Sequence, residues 1–153
     1  FLVGIGATLI PYRTVTVTLR YDDRDATISA NGAPDRVDRT RDYEAGIAYN
    51  PVPAVYLYGS RRKEARTSQL DRTVDTFACS WSPLPGGSLQ VSISYNQTLY
   101  SDLNETDTSF VPFVRWNINA RSYFEIAYQA LNRKSDTARQ EDDIITSTLR
   151  FGF

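Results

Sequence analysis

Few side chains in this sequence have the types and spacing that chemistry demands. Asp22, Asp23 and Asp25 crowd carboxylates together as a cation site would, but the mid-loop glycine and distal glutamate of an EF-hand are missing. Glu141, Asp142 and Asp143 could move protons, yet no nucleophile or histidine stands near them. The chain has no His and a single cysteine, Cys79, which excludes an internal disulfide, the usual zinc sites and every histidine-dependent triad. The acids therefore read as a solvated loop and a charged rim, and Cys79 as a small apolar side chain. Asn96-Gln97-Thr98 and Asn104-Glu105-Thr106 match the glycosylation tripeptide, which is short enough to arise by chance. The sequence predicts no enzyme, no cofactor and no metal.

The remaining chemistry belongs to the elements that would carry these groups. Large apolar residues alternate with small or polar ones, the period-2 signature of a strand with two unlike faces. Val91, Ile93 and Tyr95 interleave with Gln90, Ser92, Ser94 and Asn96, and Val15, Val17 and Leu19 with Thr14, Thr16, Thr18 and Arg20. The pattern predicts about nine strands near 1–11, 13–25, 42–50, 53–62, 72–82, 88–100, 109–118, 121–132 and 142–153, each close to the ~9–11 residues with which a tilted strand crosses a bilayer. Mean hydropathy is -0.40 and no apolar run is long enough for a spanning helix. That leaves spanning strands open, because they need an apolar residue only at every second position. With 17 basic and 18 acidic residues the net charge is -1, so nucleic acid is not an expected partner.

Compact links at Pro11-Tyr12, Asn50 to Pro53, Pro83 to Gly87 and Asn119 to Arg121 contain strand breakers and turn formers. Between them lie charged links near 22–41, 61–71, 101–108 and 133–141, so short and long connections are expected to alternate. The last segment places Ile145, Ser147, Leu149, Phe151 and Phe153 on one face and Thr146, Thr148, Arg150 and Gly152 on the other. A terminal Phe, an aromatic residue two positions earlier and alternating apolar residues behind them resemble the C-terminal β-signal of bacterial outer-membrane proteins, departing from it at Ser147. The resemblance implies an antiparallel up-and-down transmembrane β-barrel in the bacterial outer membrane, with Ile145, Leu149, Phe151 and Phe153 as the assembly signal read by the barrel assembly machinery. Single-chain bacterial barrels have even strand numbers, so residues 1–153 are expected to be one barrel segment, the C-terminal part of a larger barrel.

On this reading Val15, Val17, Leu19, Ile47, Tyr49, Phe77, Trp81, Trp116, Phe124 and their like face lipid, with Trp81, Trp116, Tyr49, Phe151 and Phe153 near the short turns. The opposite face carries Arg20, Glu44, Gln90, Asn96, Arg115, Glu125, Gln129 and Arg150, the expected lumen-lining residues. Arg115, Glu125 and Arg150 are expected to form a cross-strand ladder that chiefly satisfies charges within the barrel. Tyr56 and Tyr58 point inward, as space fillers or as a surface for a sugar-like solute. The expected function is a pore or channel for ions, small solutes or an exported polymer. The alternative is a structural barrel that sheathes or anchors a plug or partner protein, such as an electron-conduit cytochrome or a secretion or polysaccharide-export complex. A soluble β-sandwich or binding barrel is the reading that dispenses with the membrane.

Overall fold

The structure is a computed structural model and describes residues 1–28, 36–67 and 70–152. Among the described residues the alternating pattern forms nine strands. They are β1 (Leu2–Tyr12), β2 (Val15–Ile28), β3 (Arg36–Val52), β4 (Val55–Arg66), β5 (Arg72–Trp81), β6 (Leu89–Tyr100), β7 (Glu105–Asn117), β8 (Tyr123–Lys134) and β9 (Arg139–Arg150). A 3-10 turn, Pro85–Gly87, interrupts the link between β5 and β6. There Gly86 and Gly87 hold φ of 73° and 67°, a region in which an L side chain is strained. Among the described residues no helix is long and apolar enough to cross a membrane.

Every strand pairs antiparallel with its neighbours in chain order, giving one meandering sheet. The sheet is not closed: β1 and β9 are its edges. Nine alternating strands leave those two running in the same direction, so they cannot pair antiparallel with each other. The ladder breaks where proline removes a donor. Register shifts fall between Leu9 and Tyr12, around Pro11, and between Tyr49 and Val52, around Pro51. Pairing of β7 with β8 lapses between Phe110 and Phe113, around Pro112.

Register partners share a face of the sheet. One row of partners runs Leu9, Val17, Ile47, Gly59, Phe77, Tyr95, Phe110, Ala130 and Asp143. It starts among aliphatic residues near the β1–β2 turn and ends at a carboxylate near the far end of β9, so the strands are staggered in one sense across the sheet.

The charged links are shorter than the sequence suggests. β2 runs on to Ile28 and β3 begins at Arg36, so most of 22–41 is strand, and β7, β8 and β9 likewise extend into the polar segments. The expected alternation of short and long connections is not observed: 82–88 is longer than 101–104. What alternates is chemistry, because opposite charges across a strand pair replace apolar contact there. Past the last apolar partners, Tyr21 and Tyr43, Arg39 Nε donates to Asp23 Oδ1 at 3.0 Å and Tyr21 donates to Asp23 Oδ2 at 3.1 Å. Arg61 and Asp75 form a bidentate pair at 2.7 Å, and Arg133 makes the same kind of pair with Asp107.

Asp23 shows how the extension should depend on pH. Its hydrogen bond from Arg39 holds the carboxyl below the usual carboxylate range, against the opposing effect of burial. A depressed pKa stabilises the folded state fully at neutral pH and is lost as pH falls below that range. Asp23→Asn should therefore speed amide exchange in residues 23–28 and 36–41 several-fold at neutral pH. The wild type, corrected for intrinsic rates, should loosen in the same segments on acidification while the variant stays flat. Hydrogen exchange with mass spectrometry checks both.

Candidate functional site: two unlike faces of one sheet

No hydrophobic side chain among the described residues is buried. A soluble domain with 41% hydrophobic residues would hide a core. Here the apolar residues lie on a sheet face that the other described residues leave open: Phe77 is 56% exposed, Trp116 50% and Ile145 71%.

That face is banded. Tyr49, Trp81, Trp116 and Phe124 lie close to the turn end of their strands, and Tyr21, Tyr43, Phe77, Tyr95, Phe110 and Tyr128 lie further along, with aliphatic residues such as Val17, Ile47, Leu57, Cys79, Ile93 and Val114 between. Tyr43 and Tyr49 are about 20 Å apart along β3 at ~3.3 Å per residue. Three tyrosine hydroxyls of the far row reach for polar partners beyond the band. Tyr21 donates to Asp23, Tyr95 to Gln97 Oε1 at 3.3 Å, and Tyr128 to Asp143 Oδ1 at 2.9 Å. Each ring thus keeps its body in the apolar band and its oxygen in the charged zone. The alternation in sequence marked the near row; Tyr43, Tyr95 and Phe110 needed the register to reveal the far one.

The register puts all eight expected lumen residues on the opposite face. They form separate groups. Gln90 pairs with Arg115, and Arg115 with Glu125, across β6, β7 and β8. Arg115 Nη1 stands 3.7 Å from Glu125 Oε2, while its guanidinium lies 4.5 Å from the centroid of the Tyr123 ring and its Nε donates to Asn117 at 3.1 Å. Arg150 does not complete the ladder: it sits opposite Tyr123, Thr148 sits opposite Glu125, and Arg150 makes no ion pair among the described residues. An offset of two residues along the strand decides this, because the ladder expected Arg150 beside Glu125. Asn96 lies between Thr76 and Ser109, and Gln129 opposite Ile144.

Arg20 and Glu44 are direct partners within a second, denser group. Arg20 pairs with Asp22 on its own strand at 2.5 Å, and Arg62 with Asp42 at 2.7 Å. Glu64 is 2% exposed, the most buried large side chain among the described residues, and is held by both Arg66 and Arg72. These groups surround a cavity of about 450 Å³. Sequence reasoning placed Arg20 and Glu44 on strands, but gave Glu64 and Arg66 to the charged link 61–71 because it is so charged. The signal this region carried was charge alternating at every second residue, in Arg20, Asp22 and Arg24 and again in Arg62, Glu64 and Arg66. Tyr56 and Tyr58 are on this face, their rings stacked at 6.5 Å and 5° between planes.

Of the expected assembly signal, Ile145 and Leu149 share the apolar face with Tyr128 and Phe124, their partners. β9 ends at Arg150, so Phe151 follows the strand rather than belonging to it, and it is exposed; Phe153 lies outside the described residues. The groups of three or more His, Cys, Asp or Glu that a metal would need are not found among the described residues.

Removing the Glu64 charge takes a buried carboxylate from both Arg66 and Arg72. Glu64→Gln should cost about 1–3 kcal/mol in a denaturant titration in detergent micelles, and Glu125→Gln, whose pair is longer and more exposed, distinctly less. No family model matches the chain, and no curated protein or solved structure matches it either.

Proposed function

We propose that this chain forms part of the wall of a bacterial outer-membrane β-barrel, with its banded face against lipid and its charged face lining a water-filled lumen that passes ions, small solutes or an exported polymer. The single observation that carries this reading is a face rich in exposed apolar side chains, bounded by two aromatic rows, on a sheet with no buried hydrophobic side chain among the described residues. In water that surface would drive aggregation. Against hydrocarbon it needs no cover, and tyrosine rings with their hydroxyls turned to the polar side suit the bilayer interface. The membrane-spanning parts of β2 and β3 then end at the Tyr21 and Tyr43 row, and the ion-paired ends stand beyond it.

The one-directional stagger of the partner rows is what a closed wall of tilted strands requires. An all-antiparallel closure would need an odd number of further strands between β9 and β1, since these two run the same way. Ile145, Leu149 and Phe151 present the apolar pattern that the barrel assembly machinery would read, and lipid is the other partner. The sheathing or anchoring alternative draws support from the lumen face itself: most of its charges are already paired, and small residues such as Gly46, Ala48, Ser60, Ala78, Ser80 and Ser92 give it low relief, which suits a partner protein lying against it.

The test uses the full-length native protein. It should fractionate with the detergent-extracted outer membrane and migrate differently on a gel before and after heating. Reconstituted in planar bilayers it should conduct, and Arg115→Glu, which reverses one lumen charge, should shift the reversal potential toward cation selectivity. Membrane fractionation without conductance, together with co-purification of a filling protein, would favour the sheath. A soluble protein indifferent to heating would remove both.

A further inference from the structure

The banded face is not uniform. Small side chains at Ala7 and Ala45 flank Leu19 in one partner row, and Ile5, Tyr21 and Tyr43 form the next row toward the charged end. Together they line a groove of about 490 Å³ with an apolar floor. Its rim on β4 is basic: Arg61 is the partner of Ala45, and Lys63 the partner of Tyr43. Tyr21 and Tyr43 pack with ring centroids 4.9 Å apart at the groove's upper edge.

The basic residues differ in what they already hold. Arg61 is engaged with Asp75, and Arg41 Nε lies 3.8 Å from Asp23, which Arg39 also holds. Lys63 is exposed and makes no ion pair among the described residues. An apolar groove inside the apolar band is thus lined by a lysine that has no ion-pair partner among the described residues. A cation in that position attracts an anionic headgroup, and the long lysine stem lets the charge meet a phosphate at the interface while its methylenes stay in the apolar zone.

We propose that this groove is a binding site for a phosphate-bearing lipid, its headgroup on Lys63 and the outer edge of Arg61 and one acyl chain over Ala45 between Tyr43 and Leu19. The site rests on the lipid-facing reading of this sheet face. It goes further by giving one place on the wall a lipid preference, at the membrane surface on the side of the charged strand ends. The occupant is a whole lipid rather than free phosphate, because the apolar floor gives inorganic phosphate nothing to bind.

The test uses the full chain in phosphatidylcholine vesicles doped with spin-labelled phosphatidic acid or spin-labelled phosphatidylcholine, the immobilised fraction giving relative association. The protein should prefer phosphatidic acid. Lys63→Gln should weaken that preference roughly fivefold, the effect of ~1 kcal/mol per basic residue at a membrane surface. Ala45→Phe, which fills the floor without changing charge, should reduce it as well, and added inorganic phosphate should leave it unchanged. Equal immobilisation of both lipids, or a preference that survives both substitutions, would overturn the site while leaving the membrane reading intact. Displacement by inorganic phosphate would replace the lipid with a simple anion and overturn it too. Immobilisation of neither lipid would show that the chain does not sit in the bilayer, and the membrane reading would fall together with the site.

Discussion

A single sheet can satisfy its own backbone but cannot cover its own apolar face. Each interior strand of this meander has both neighbours in place, so the main-chain donors and acceptors are largely paired, the first requirement for structure in a solvent without hydrogen bonds. The side chains meet no such closure. Among the described residues no second layer packs on Val17, Ile47, Phe77 or Trp116, and no hydrophobic side chain is buried. In water, stability would have to come from burial; here the ladder and cross-strand neighbours carry it, and on the proposed reading lipid covers the banded face.

The charged strand ends follow from the same constraint. Beyond the Tyr21 and Tyr43 row the apolar band ends, and opposite charges at register positions take over. Arg39 with Asp23, Arg61 with Asp75 and Arg133 with Asp107 all join adjacent strands. An exposed pair contributes little alone, but several on successive hairpins hold the strands in register well past the band. On the face that Arg133 and Asp107 share, opposite the first two pairs, Glu64 between Arg66 and Arg72 ties β4 to β5. Further links lie at the hairpin tips, where Asn104 donates to Asp136 and the Asp71 amide to Asp102.

The legible part of the fold was whatever followed from period two. Val91, Ile93 and Tyr95 against Gln90, Ser92 and Asn96 is a pattern only a two-faced strand explains, and repeating it along the chain yields the strand number and the faces of the central strand residues. Strand ends were hidden because charge was read as loop: Asp22 to Ile28 and Arg36 to Arg41 carry the composition of a solvated connection but pair as sheet. Register was hidden more deeply, since it depends on turn geometry and on prolines that shift the ladder. That is why Arg115 and Glu125 could be matched across their short turn, whereas Arg150 came out opposite Tyr123 rather than beside Glu125. The Glu64 cluster and the far aromatic row were out of reach for the same reason, as both exist only between strands.

The central claim, that one face of the sheet meets lipid and the other water, is tested most directly by scanning β6. Single spin labels placed at successive positions from Leu89 to Asn96, in a Cys79→Ser background and in lipid vesicles, report collisions with oxygen, which concentrates in hydrocarbon, and with a water-soluble nickel chelate. The account predicts a strict alternation. Positions 89, 91, 93 and 95 should favour oxygen, and 90, 92, 94 and 96 should favour the chelate. Equal chelate access at neighbouring positions, or an apolar set that is shielded from both reagents, would contradict it and place protein or water where lipid is expected.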